Sequence, residues 1–230
     1  MLIEGAAGSG KSTLSAHICM QWSEGNLFTE YRLVVLVQLR DPEIHSVKSI
    51  ADLLPAEEGQ TEVANEACKW ISSNHGKGVL FILDGWDELP TSLKKDSIFV
   101  KLVHGKASHN ISFLHLSDVL VTSRPVSSGD LHSVVSTRIE LLGFTEDELQ
   151  QYFCDCFQEN DKAVQTLLNT IRNNPGLCYL PLNASIFVHL FKCEKNLPNT
   201  RYGTIHELVL SCIYRHLIER LHYELSLIHI

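Results

Sequence analysis

Gly5-Ala6-Ala7-Gly8-Ser9-Gly10-Lys11-Ser12-Thr13 fits G-x-x-x-x-G-K-[ST], the spacing of a loop that wraps the phosphates of a nucleoside triphosphate. Each residue type has its own task. The glycines let successive backbone N–H groups turn inward around a β-phosphate, the Lys11 ammonium reaches β/γ oxygens, and the Ser12 hydroxyl is a ligand for Mg²⁺. The context required is an apolar strand before the loop and a helix after it. Leu14, Ile18 and Trp22 recur every four residues, which predicts a helix whose N-terminus faces the phosphate. Before the loop stand Met1-Leu2-Ile3-Glu4, read as a strand stub, from which the natural chain is expected to extend upstream.

Further apolar runs repeat the pattern. Leu33 to Leu39, Val79 to Leu83 and Val119 to Thr122 are short β-favouring stretches separated by helix-permissive segments, as in strands buried on both faces of a parallel sheet. Arg138-Ile139-Glu140-Leu141 adds one more strand, and beyond it only helical patterns follow. The expected fold is therefore α/β: a phosphate-loop NTPase parallel sheet flanked by helices over residues 1–142, then a small all-α domain over 143–198 and the start of a further helical or winged-helix region over 199–230. Thr145-Glu146-Asp147-Glu148 reads as a capping box opening a helix with Leu149, Tyr152, Phe153 and Cys156 on one face. Ala163, Leu167, Leu168 and Ile171 continue the helical register up to Asn173-Asn174-Pro175-Gly176, and Pro181 stands where a new helix begins.

The second apolar run ends in acids, Asp84-Gly85-Trp86-Asp87-Glu88, and in doubly wound sheets ligands gather at the carboxyl ends of the strands. Asp84 is expected to hold the Mg²⁺ shell, Asp87 or Glu88 to orient or deprotonate an attacking water, and Gly85 to let the chain pass close to the metal. Trp86 reads as a core residue. Thr122-Ser123-Arg124-Pro125 delivers a guanidinium to the same sheet edge, where Arg124 can distinguish a triphosphate from a diphosphate by direct hydrogen bonds.

Composition narrows the alternatives. The 230 residues, 44% hydrophobic, suffice for one substantial core and a second small domain. A formal charge of −8, with no dense cluster of Lys and Arg, argues against nucleic acid as a partner. The longest apolar runs fall far short of the roughly 20 residues that span a bilayer, so no membrane span is expected. Seven cysteines (Cys19, Cys68, Cys154, Cys156, Cys178, Cys193, Cys212) form an odd set with no C-x-x-C pair, which reads as reduced thiols in a cytoplasmic protein. Cys154-x-Cys156 has no second pair at ligand spacing, so a zinc site is not expected. Leu225 to Ile230 follows a helical pattern without a stop signal and reads as a non-native tail.

The phosphate loop, Leu83-Asp84-Gly85-Trp86-Asp87-Glu88 and Thr122-Ser123-Arg124-Pro125, in this order, resemble the NACHT domain of NOD-like receptors. Leu39-Arg40-Asp41, Gly143-Phe144-Thr145-Glu146 with Tyr152-Phe153, and Cys178-Tyr179-Leu180-Pro181-Leu182 are similar to that family's pattern as well, and the acid pair after Asp84-Gly85 is its most discriminating mark. The resemblance implies a signal-transducing NTPase that binds ATP or ADP with Mg²⁺. In such a protein Pro181 would lie against the nucleotide, ADP would hold the domains closed, and exchange to ATP would open them. It also implies assembly through the NACHT domain into homo-oligomers, innate-immune signalling through an adaptor bound by an N-terminal effector region, leucine-rich repeats, and a winged-helix histidine, the last three outside this sequence.

Two function classes follow. One is a slow ATPase switch using Lys11, Ser12, Asp84, Asp87, Glu88 and Arg124; the other is a nucleotide-stabilised scaffold in which water is never correctly placed. A metabolic or nucleic-acid-directed enzyme sharing the loop would need a second substrate site or a basic groove, and neither is visible in the sequence.

Overall fold

In a computed structural model, described for residues 1–54, 61–95, 97–104, 114, 116–157, 162, 164–165, 168–169 and 179–194, the contacts divide the chain into a unit Met1–Leu142 and a second beginning at Gly143. Among the described residues the first unit holds five strands in one sheet: β1 (Leu2–Glu4), β2 (Leu33–Gln38), β3 (Val79–Asp84), β4 (Asp118–Ser123) and β5 (Arg138–Glu140). Their order is β2-β3-β4-β1-β5 and every pairing is parallel. Helices α1 (Lys11–Ser23), α2 (Thr61–Ser73) and α3 (Ile98–His104) lie between successive strands. The chain order β1-α1-β2-α2-β3-α3-β4 is the repeating connection that parallel pairing demands, since a parallel neighbour cannot be reached by a tight hairpin.

The apolar runs became strands because both faces of the sheet are covered. All six β3 residues are buried, and Phe81, Ile82 and Leu83 are fully so. Leu2, Val35, Phe81, Leu83 and Val121 enter a core on one face that Trp86, Phe99 and Leu102 complete; Ile3, Leu80, Ile82 and Leu120 meet Ile18 of α1 on the other. Truncating a fully enclosed aromatic such as Phe81 to alanine costs about 3–5 kcal/mol. The last predicted strand differs from the rest: β5 is an edge strand with all three residues exposed, because β1 is its only neighbour among the described strands.

The described part of the second unit shows α4 (Glu146–Phe157) and α5 (Pro181–Glu194). The capping box forms with both of its bonds: the Thr145 N–H donates to Glu148 Oε2 at 2.8 Å, and the Glu148 N–H donates to Thr145 Oγ1 at 3.3 Å. Leu149 and Phe153 of α4 pack with Val164, Leu168, Ala184, Phe187 and Val188, while Tyr152 and Cys156 flank them, half-buried. Tyr152 stacks on Phe144 with ring centroids 5.4 Å apart. Ala163, Leu167, Ile171, Asn173 to Gly176, Cys178, the tail Leu225 to Ile230 and the whole 199–230 segment lie outside the described residues.

Candidate functional site

Parallel pairing places the carboxyl ends of β1, β3 and β4 side by side, and the loop leaving each end carries one part of the predicted site. After β1, Gly8 and Gly10 take φ of 78° and 93°, left-handed values that only glycine adopts without strain. Gly5 is needed for space: a Cβ there would stand 2.5 Å from Ser9 Oγ and 3.0 Å from the Leu141 carbonyl oxygen. Gly10 is the N-cap of α1 and supplies no side chain, so the first-turn N–H groups have neither an intrahelical acceptor nor a side-chain cap. Lys11 folds back over the loop and donates to the carbonyls of Gly5 at 2.7 Å and Ala6 at 2.8 Å. Ser9 Oγ is buried with no partner among the described residues. Ser12 is half-buried and Thr13 exposed on the first turn of α1.

Asp84 closes β3 and is buried at 2% exposure. Its Oδ1 accepts from Thr122 Oγ1 at 2.7 Å and from Ser15 Oγ at 3.4 Å; its Oδ2 is 4.0 Å from Arg40 Nη1. The same Arg40 nitrogen donates to Ser12 Oγ at 3.3 Å. Gly85 turns the chain with φ 89°, and its N–H donates to Thr122 Oγ1 at 2.9 Å. Trp86 is in the core, its indole N–H on Asp130 Oδ2 at 3.2 Å. Asp87 is bound twice by Arg124: Nε at 2.9 Å from Oδ2, and the backbone N–H donating to Oδ1 at 3.2 Å. Glu88 is exposed, with its carboxylate leaning over Gly85.

The field at Lys11 ties these residues together. Burial lowers the affinity of its ammonium for the proton; Asp87 opposes that, Arg124 adds to it, and Asp84 and Glu88 oppose it, with a net lowering. Lys11, Asp84, Asp87, Glu88 and Arg124 thus share one electrostatic neighbourhood. Pro181 opens α5 at its first helical position and is described within the second unit.

Several residues of this neighbourhood carry no motif signature. Thr122 stands beside Arg124 in its stretch, but nothing local marks its bond to Asp84, and Ser15 sits on the helix face otherwise read as apolar. Glu4, one residue before the loop, is 6% exposed and gathers Ser128, His132 and Arg138. The Ser128 hydroxyl donates to Glu4 Oε1, His132 Nε2 lies 2.9 Å from the same oxygen, and Arg138 Nε and Nη2 donate to Oε2 at 3.3 and 3.0 Å. Burial pushes the Glu4 carboxyl up, but those hydrogen bonds and the Arg138 charge outweigh it and hold the pKa at about 2.

The residues present fit a polyphosphate with a divalent cation. The loop offers left-handed glycines, an ammonium and helix-terminal N–H groups to an anion, and the orphaned Ser9 hydroxyl stands among them. Ser12 Oγ and the Asp84 carboxylate form the hard-oxygen pair that Mg²⁺ favours.

Sheet, loop and acidic strand end together define a phosphate-loop NTPase fold. Within that class the chain belongs to the NACHT family, whose domain matches residues 1–160. Similar curated proteins include "NACHT, LRR and PYD domains-containing protein 14" of Homo sapiens, 28% identical over 79% of this chain and 18% of that protein. Protein 10 of the same series from Mus musculus is 26% identical over 78% of this chain and 27% of its own length. Protein 3 from Rattus norvegicus is 26% identical over 79% and 19%. The chain therefore spans about a fifth to a quarter of these relatives' lengths. Solved structures similar to it include a Thermotoga maritima RuvB, with a TM-score of 0.45 and 14% identity over 84% of this chain and 55% of that one. The replication initiator DnaA, bound to AMPPCP and single-stranded DNA, has a TM-score of 0.45 and 15% identity over 84% and 54%. No helix among the described residues is long and apolar enough to cross a membrane.

Proposed function

We propose that this chain is the nucleotide-binding portion of an intracellular NOD-like receptor. In this reading it binds ATP or ADP with Mg²⁺ through residues 5–13, hydrolyses ATP slowly, and uses nucleotide exchange to control homo-oligomerisation and recruitment of a signalling adaptor. The observation that carries the reading is the convergence on the glycine loop: an ammonium held at its mouth by two backbone carbonyls, with Asp84, Asp87, Glu88 and Arg124 within electrostatic reach.

Ser12 Oγ and Asp84 would hold Mg²⁺, whose chemistry is to neutralise charge across the β- and γ-phosphates. Lys11 supplies the second positive charge, and the loop N–H groups orient the phosphate chain. Thr122 and Ser15 keep the Asp84 carboxylate aimed, since each donates to Oδ1 and leaves Oδ2 beside Arg40. Arg124 reads the terminal phosphate once it leaves Asp87, and Glu88, the exposed acid of the pair, is the better placed of the two to take a proton from water.

Lys11→Ala tests the loop. Removing charge-assisted hydrogen bonds of about 1.5–3 kcal/mol each is expected to weaken ADP by on the order of a hundredfold, and unchanged affinity in a calorimetric titration would end the assignment. The pairing of Asp87 with Arg124 favours one alternative, a nucleotide-stabilised scaffold without turnover, because a carboxylate held from two sides is poorly placed to activate water. Single-turnover measurement separates the two: a switch converts bound ATP to ADP, whereas a scaffold leaves it intact.

A further inference from the structure

We propose that Arg40 is a tethered cation that occupies the metal's place between Ser12 and Asp84, so that divalent metal and the Arg40 guanidinium compete for the site. The inference rests on the reading of residues 5–13 as a nucleotide site and adds a residue to which that reading gave no task.

Leu39 is fully buried and its N–H donates to the Asp84 carbonyl at 2.9 Å, which fixes the backbone directly before Arg40 against the end of β3. From that anchor the Arg40 side chain, 47% exposed, brings Nη1 to 3.3 Å from Ser12 Oγ and 4.0 Å from Asp84 Oδ2. The Asp84 side chain is 3% exposed, and a carboxylate taken out of water needs a cationic partner or hydrogen bonds on both oxygens. Thr122 and Ser15 serve Oδ1; Arg40 is the cation beside Oδ2.

Those two contacts are the ones a divalent cation needs. Mg²⁺ binds oxygen at about 2.0–2.1 Å and takes a lone pair from each ligand. A guanidinium N–H donating to Ser12 Oγ takes one of that hydroxyl's two lone pairs, and its positive charge beside Oδ2 repels a second cation brought to the same oxygens. The two states therefore compete, and the metal binds best when Arg40 swings outward. That motion is open to a long, half-exposed side chain whose backbone stays fixed. The seated guanidinium keeps Asp84 paired while metal is absent, and it lowers apparent metal affinity to the intrinsic value times the fraction of molecules in which it is withdrawn.

The test uses the full chain, with Arg40→Gln removing the charge and Arg40→Lys keeping the charge without the fork. A fluorescent ADP analogue is titrated in EDTA and in Mg²⁺, and Mn²⁺ binding without nucleotide is followed by electron paramagnetic resonance. A half-exposed ion pair of this kind predicts that Arg40→Gln enlarges the affinity gain from Mg²⁺ and tightens Mn²⁺ roughly two- to five-fold, with Arg40→Lys between it and the parent. An equal or smaller Mg²⁺ gain in Arg40→Gln overturns the proposal. So does weaker nucleotide binding confined to Mg²⁺, which would make Arg40 a phosphate ligand instead of a competitor. Absence of analogue binding by every protein in both buffers overturns the nucleotide reading itself, and the inference falls with it. Circular dichroism checks folding, and Arg40→Lys carries the comparison if Arg40→Gln does not fold.

Discussion

Glu4 is a buried carboxylate one residue upstream of the phosphate loop, and four donor groups from the far end of the first unit converge on it. Its folded pKa of about 2 lies below the ordinary value of 4.5, so the folded state binds fewer protons than the unfolded chain between those values. The sign follows: the stabilisation is fully present above about pH 4.5 and is lost as pH falls toward 2. With solvent screening of the exposed His132 and Arg138 allowed for, it amounts to on the order of 1–3 kcal/mol. Glu4→Gln should therefore lower the urea midpoint at pH 7, and the gap should narrow as pH falls below 4.5 and close only near pH 2; equal midpoints at pH 7 would show the network to be energetically idle. Lys11 and Asp84 were legible because the spacing of a loop and the end of an apolar run are local patterns. Glu4 was not, since its partners lie 124 to 134 positions away and no local pattern connects them. Arg40 is the same case at 28 positions from Ser12: the motif around it was visible, but its contact was not.

At the level of elements, the apolar runs gave away β2, β3 and β4 because strands covered on both faces must be apolar almost throughout. Their lateral order was not readable. Nothing local says that β4 stands between β1, which leads into the phosphate loop, and β3, which carries the acids. That insertion is what gives Thr122 its function, since a residue on the intervening strand can reach the end of β3: its hydroxyl donates to Asp84 Oδ1 and accepts the Gly85 N–H. Thr122→Val keeps the shape but leaves a buried N–H and a carboxylate oxygen short of partners, at a cost of about 1–3 kcal/mol in chemical denaturation. Thr122→Ser keeps the hydroxyl and should recover most of that. A valine variant as stable as the parent would mean that water replaces the hydroxyl and that the strand insertion does not aim Asp84. The helical signals behaved differently, because a capping box is complete within four residues and both bonds of Thr145 and Glu148 formed as the sequence indicates.

For the whole molecule the decisive fact is distribution: every candidate site residue except Pro181 belongs to Met1–Leu142. A chain ending at residue 142 keeps the five strands, the loop and the acidic strand end, and it should bind ADP if the site is built from that unit alone. The role that the family resemblance gives Pro181 then becomes measurable as a difference in affinity. Pro181 occupies the first helical position of α5, where alanine is also well accepted, so Pro181→Ala removes the ring without breaking the helix. If the second unit helps to retain ADP, truncation weakens binding and Pro181→Ala in the full chain reproduces part of that loss, mainly through faster dissociation in a stopped-flow chase. If the truncated chain releases ADP no faster than the full one, retention belongs to the loop and its acids alone. The closed, ADP-held state that the family resemblance implies would then need contacts other than Pro181, and nucleotide exchange would act on the first unit directly.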